Sequence, residues 1–227
     1  MSYGADTDLW GRADTMWELQ SSSESPGKSE AQCVDSNGDI EASTLYDTVT
    51  EISCSYKMKI NGSAIFYDTA TSVDFRLGKV INSYVITGIT MGTNNTDFTD
   101  LTISGRSCPS ADSVVSKYQP TDSLVTIARK AQFIGVSDTS GVTRCTGSSY
   151  TASVSVATCM DSVGTTAALD VYGGREEATN SLVGCTGDPI VVADTGWTLS
   201  SGPSNAKENT AYGTGDVTVF KNIARDT

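Results

Sequence analysis

Between Glu51 and Ile60 apolar and polar residues alternate without a break. Ile52, Cys54, Tyr56, Met58 and Ile60 stand against Glu51, Ser53, Ser55, Lys57 and Lys59. A period of two places one set on each face of an extended chain, so this stretch predicts a strand with one dry and one wet face. It runs longer than the usual strand of about 5 to 6 residues. The same period recurs between Gly78 and Gly105. Val85, Thr87, Ile89 and Met91 fall on one side of an extended segment, and Tyr84, Ile86, Gly88 and Thr90 fall on the other. Leu101 and Ile103 resume the apolar face, with Thr102 and Ser104 opposite. Between the two halves, residues 92–97 (GTNNTD) tolerate positive φ or satisfy their own backbone, which predicts a hairpin closed by a polar loop.

The rest of the chain repeats this grammar. Tyr150 to Cys159 alternates, Leu169 to Tyr172 forms a short apolar run stopped by Gly173-Gly174, and Val191, Trp197 to Leu199 and Val217 to Ile223 mark further strands. Asn37-Gly38 and Asn61-Gly62 signal turns, the second leading into Ala64 to Tyr67. Val114, Val115 and Tyr118 fit a short helix that Pro120 ends. Leu124 to Ala128 and Ala131 to Val136 are strand candidates. Near the N-terminus Leu9, Trp10, Met16 and Trp17 precede a polar run, Ser21 to Lys28. Their large side chains either cover this chain's own core edge or belong to an extended arm, residues 1–30, that docks on a neighbour. The pattern predicts an all-β antiparallel sandwich or barrel, with at most one or two short helices, as a single domain over residues 1–227.

Composition narrows the functional classes. The formal charge is −12, from 27 acidic and 15 basic residues. Such a chain repels a phosphate backbone, which disfavours nucleic-acid binding through Lys and Arg, while an acidic lining suits a channel through which DNA slides. There is no histidine, which removes Ser-His-Asp and Cys-His catalysis and the commonest zinc ligand. The six cysteines, Cys33, Cys54, Cys108, Cys145, Cys159 and Cys185, contain no closely spaced pair, so neither a thiolate zinc site nor a dithiol redox motif is expected. The polar opening Ser2 to Asp8 is unlike an export signal, and the thiols are expected to be reduced and mostly buried. No apolar run has the length of a transmembrane helix, and no membrane insertion is expected.

Candidate chemistry is sparse. Glu176 and Glu177 beside Gly173-Gly174 are sequence neighbours on a turn, which does not give the opposed pair a glycosidase needs. Cys185 lies between glycines with no His to activate it. Residues 35–39 (DSNGD) resemble part of a calcium loop but lack its remaining ligands, and a turn is the better reading. The glycosylation triplets at Asn61 and Asn94 matter only in a secreted eukaryotic protein. No catalytic, cofactor or metal site is expected.

The hairpin segment GKVINSYVITGITMGTNNTDFTDLTISGR (78–106) and the ending GTGDVTVFKNI (213–223) resemble bacteriophage virion proteins, most of all the tail tube proteins of long-tailed phages and related contractile injection particles. The resemblance implies a subunit of the virion tail, assembled in the host cytoplasm. Such subunits form homohexameric rings whose inner strands join into one barrel. The rings stack into a tube that contacts other tail proteins and passes genomic DNA without binding it specifically. It implies no cofactor and no catalytic residue. Within it, the tube-forming strands are those carrying Ile52, Tyr56, Met58, Val85, Ile89, Leu101 and Ile103, with their polar faces toward the lumen. Trp10, Trp17, Val217, Val219, Phe220 and Ile223 are candidate contacts between rings. Two other readings stay open. One is a capsid decoration or head-tail completion protein. The other is a secreted carbohydrate-binding or adhesin module using Trp197, Tyr212 and Tyr172, which requires export and disulfides.

Overall fold

A strand that alternates apolar and hydroxyl-bearing side chains can bury only one face, so such strands assemble into a sheet covered on one side. The computed structural model describes residues 7–13, 16–59, 67–68, 73–108, 117–118, 131–139, 141, 143–162, 166–184, 190–202 and 213–226. In chain order the strands are β1 (Trp17–Val34), β2 (Ile40–Met58), β3 (Tyr67–Asp68), β4 (Val73–Asp74), β5 (Val80–Ile81), β6 (Tyr84–Asn94), β7 (Asp100–Ser107), β8 (Lys117–Tyr118), β9 (Val136–Asp138), β10 (Thr143–Met160), β11 (Thr166–Gly184), β12 (Val191–Ala193), β13 (Thr198–Ser201), β14 (Thr214–Asn222) and β15 (Arg225–Asp226). Eight of them lie side by side in the order β1-β2-β7-β6-β10-β11-β14-β13, every neighbour antiparallel, and β5 adds to β6. Three short pairs, β12 with β9, β15 with β8 and β3 with β4, complete the strands. The fold is all-β and antiparallel, as the alternation requires, and no helix occurs among the described residues.

One face of the large sheet is dry. The register aligns Leu19, Tyr56, Leu101, Met91, Tyr150, Ala178 and Val219 in a single row across seven strands. From Tyr56 to Val219 every member of that row is buried. Trp10 from the segment before β1, and Phe75, Leu77, Tyr118, Ile134, Val136 and Trp197 from the segments between the long strands, pack over the same core. Burying each of these side chains contributes about 1.5–3 kcal/mol. Close approach of the covering layer requires glycine at two sheet positions. A Cβ on Gly105 would stand 2.5 Å from Cη2 of Trp10 and against the carbonyl oxygen of Val85, and one on Gly174 would stand 2.5 Å from Tyr118. Trp10 is held there by its Nε1, which donates to the Ile103 carbonyl at 3.0 Å, and by an edge-to-face contact with Tyr84 at 6.4 Å.

Several details differ from the pattern. In β6 the strict alternation breaks at Thr87, because Ile86 pairs with Gly105 and Gly88 pairs with Ser104. That bulge puts Ile86 rather than Val85 on the face of Ile89 and Met91; Val85 turns to the side of Arg106, and both are buried at 0% exposure. Asn82 and Ser83, with φ of 50° and 67°, form the two-residue turn that folds β5 onto β6. Ser21 to Lys28 reads as a polar spacer, yet it lies within β1. Pro26 is tolerated there because β1 is an edge strand, where a missing N–H costs no ladder bond. Gly173-Gly174 does not stop a strand either: β11 runs through it, with Gly173 at φ 65° in a register shift. Tyr118 lies in a two-residue strand rather than a helix. Asp35 to Asp39 is the expected turn, its Asp35 carboxylate accepting from the Asn37 and Asp39 backbones at 2.8 Å each. Val114, Val115, Asn61-Gly62, Ala64 to Phe66, Leu124 to Ala128, Cys185 and Tyr212 lie outside the described residues.

Candidate assembly surface

The opposite face of the sheet is built from the residues that alternate with the core. Following the register strand by strand, one row reads Ser21, Ser55, Thr102, Thr90, Thr151, Glu177, Phe220, Thr198. A second reads Ser23, Ser53, Ser104, Gly88, Ser153, Arg175, Asn222. A third reads Glu18, Lys57, Asp100, Gly92, Ser149, Thr179, Thr218, Ser201. The hydroxyls bridge neighbouring strands, Ser55 to Thr102 and Thr179 to Thr218 at 3.1 Å each. Cross-strand hydroxyl pairs of this kind stabilise a sheet modestly and leave its surface neutral and hydrated.

Charges on this face are neutralised locally. Lys57 Nζ lies 3.1 Å from Asp97 and 3.6 Å from Asp100. The backbone N–H of Phe98 and then this ammonium hold the Asp97 carboxyl below its ordinary range, and the Asp97 hydrogen bond raises Lys57 in turn. Arg175 pairs with Glu177 at 3.0 Å and lies 4.7 Å over the Phe220 ring. A phosphate backbone meeting this face finds both of these cations already partnered by carboxylates.

The sheet has two open sides. The outer edge of β1 is unpaired among the described residues, and on the far side β13 covers β14 only from Thr218 to Phe220. Because the eight strands alternate in direction, the two outermost strands run oppositely. Two long hairpins also extend past the body. Pairing of β2 with β7 ends at Glu51 and Arg106, and pairing of β10 with β6 ends at Ser153 and Gly88. Beyond these points β1–β2 and β10–β11 continue as two-stranded arms from the same end of the sheet. A cleft of about 490 Å³ lies on the polar face where the arms leave the body, lined by Ser23, Ser25, Glu51, Ser53, Thr87, Ser104, Arg106, Val154 and Val156 among others.

The expected tube residues Ile52, Tyr56, Met58, Ile89, Leu101 and Ile103 lie on the dry face of central strands, with their polar neighbours on the wet one, whereas the bulge at Thr87 sets Val85 opposite Arg106 on the other face, where it is still buried. The expected contact residues divide. Trp10, Trp17, Val217 and Val219 are buried at 2%, 0%, 0% and 0% exposure inside their own chain and leave no surface to offer a neighbour. Phe220 and Ile223 are half-buried. For the glycan-platform alternative, Trp197 packs into the core at 8% exposure while Tyr172 is 54% exposed on the β11 arm. Glu176 is wholly buried and accepts from the Tyr150 hydroxyl at 2.8 Å, whereas Glu177 is on the exposed face, so the two carboxylates are divided by the sheet. Among the described residues no group of three His, Cys, Asp or Glu side chains converges to hold a metal. Five cysteines are free thiols. Cys54 and Cys108 are buried, Cys145 is half-buried, and Cys33 and Cys159 are exposed on the arms, against the expectation of mostly buried thiols. Burial raises the Cys145 thiol above its usual range.

The open edges and the aligned rows of hydroxyls could not be found from any one segment, because they exist only once eight strands are set in register. No protein-family model matches the chain, and a search of curated proteins finds no significant match.

Proposed function

We propose that this chain is a structural subunit of a phage-type tail tube. Copies arranged in a ring join their sheets edge to edge, with the Ser/Thr face lining a channel. One observation carries the reading: eight antiparallel strands end in edges of opposite direction and share a polar face on which hydroxyl side chains predominate from β1 to β10. In a ring all copies share one orientation, so β13 of one copy meets β1 of the next in the antiparallel sense and the alternation continues around the circle. Closure removes both exposed edges, the main aggregation liability of such a sheet. A neutral hydrated lining under an acidic chain lets DNA pass without adhering. Six copies per ring, stacking of rings, other tail proteins as partners and a place in the virion tail follow from the resemblance to tail tube proteins.

Negative-stain electron microscopy of the purified protein over a concentration series tests this. Rings or hollow tubes with six-fold symmetry are the expected result. A protein that stays monomeric at every concentration, and also when offered preassembled tail-tip complexes as initiators, overturns the reading.

A further inference from the structure

The assembly reading uses the body of the sheet and its outer edges, and leaves the inner edges of the two arms unexplained. Past Glu51, β2 runs to Ile40 paired only with β1, and past Ser153, β10 runs to Met160 paired only with β11. Along these inner edges the backbone N–H and C=O groups pair with no described strand, except that the Thr50 N–H donates to the Ser107 hydroxyl at 3.0 Å; the cleft lies at the base of the arms. Isolated two-stranded ribbons are marginal in water, and a third strand stabilises them. A free strand edge is the geometry of strand addition, in which main-chain hydrogen bonds hold an extended peptide and side pockets read alternate side chains.

The chemistry around the edges selects the guest. On the β1–β2 arm the chain carries Glu30, Asp35, Asp39 and Glu41 with Lys28, and the β10–β11 arm carries Asp161 and Asp170 and no Lys or Arg. Val154 and Val156 form an apolar wall on the β10 side of the cleft. A second copy of either arm is disfavoured as guest, because it would bring like charge to like charge. We infer that the cleft and the β2 edge from Ile40 to Val49 bind an extended segment of another protein in which Lys or Arg alternates with aliphatic residues. The guest's backbone continues the β2 ladder, its aliphatic side chains lie toward Val154 and Val156, and its cations lie among the arm carboxylates. This inference does not require ring closure, and because Ser23, Ser53 and Ser104 of the cleft belong to the hydroxyl face, a guest bound here would sit at the end of that face.

A fluorescein-labelled alternating Lys-Val octapeptide, titrated against the intact protein by anisotropy, tests it. Its Glu-Val counterpart should bind at least tenfold more weakly. A version of the Lys-Val peptide with alternate backbone nitrogens methylated keeps the charge but cannot donate to a strand edge, and it should also lose at least tenfold. The triple variant Glu30→Gln, Asp39→Asn, Glu41→Gln should weaken the unmodified peptide to a similar extent and flatten its salt dependence. Amide exchange over residues 40–49 should slow on binding. Equal affinity for the methylated and unmethylated peptides, no binding at millimolar protein, or unchanged exchange in β2 would each overturn the inference. Because the methylated peptide is compared on unmutated protein, a folding defect in the triple variant cannot mimic the result.

Discussion

Replacing Gly105 with alanine should unseat the Trp10 indole, and the size of the effect follows from the contacts. The added methyl would lie 2.5 Å from Cη2 and 2.7 Å from Cζ2 of Trp10, and against the Val85 carbonyl oxygen on its other side. Backbone on one side and a fully packed ring on the other leave the indole as the group that must move. Overpacking of this kind costs about 1–3 kcal/mol. Moving the ring also breaks the 3.0 Å bond from its Nε1 to the buried Ile103 carbonyl, which adds about 1–3 kcal/mol. A total near 4 kcal/mol, at a urea m-value of about 3 kcal/mol per M, lowers the unfolding midpoint by roughly 1.3 M. Far-UV circular dichroism is the suitable probe, since it does not depend on the tryptophan being perturbed. Trp10→Ala alone should cost about 3–5 kcal/mol through the cavity it leaves. Adding Gly105→Ala to it should then cost clearly less than in the parent, a coupling of about 1–3 kcal/mol, because only the Val85 contact persists. A Gly105→Ala cost below about 0.5 kcal/mol, or strict additivity in this cycle, would refute the packing of Trp10 over β7.

Three further outcomes follow from the same structure. Asn180 is wholly buried and both accepts from the Ile134 N–H at 2.9 Å and donates to its carbonyl at 3.0 Å, so Asn180→Ala should destabilise by about 2–4 kcal/mol in urea unfolding, having orphaned two backbone groups. With Ellman's reagent, Cys33 and Cys159 should react in the native state, Cys145 slowly, and Cys54 and Cys108 only on unfolding; fast labelling of Cys54 would contradict its burial beneath the sheet. Asp97 should titrate by NMR below the ordinary aspartate range. A lowered folded-state value means that its stabilising contribution is present above the unfolded value and lost as pH falls through the folded one. Lys57→Met should relax only part of that shift, because the Phe98 N–H is the larger cause.

The sequence was most legible where a strand is wet on one side and dry on the other. The alternation from Glu51 to Met58 and the pairing of Leu101 and Ile103 with Met91 and Ile89 are local consequences of a period of two, and the register bears them out. Legibility failed where composition and pairing disagree. Ser21 to Lys28 has the residues of a loop, and only its long-range pairing with Thr50 to Ser55 makes it a strand. Gly173-Gly174 reads as a stop because bulges and turns use the same residues. Trp10 and Trp17 read as covers of the core edge only slightly better than as a docking arm, since nothing local records that Gly105 leaves a seat for Trp10, 95 residues away. The candidate surface was half legible: the polar faces of single strands could be read, but not that they align across eight of them, because register is set by partners distant in sequence.

The central claim, that the hydroxyl-rich face lines a channel closed by sheet edges, is tested most directly by a cryo-electron microscopy reconstruction of the assembled protein. The account predicts Thr90, Thr102 and Thr151 facing an open lumen, with β1 of one subunit hydrogen-bonded to β13 of the next. A reconstruction in which this face packs against protein or points outward, or in which β1 remains an open edge, would contradict it.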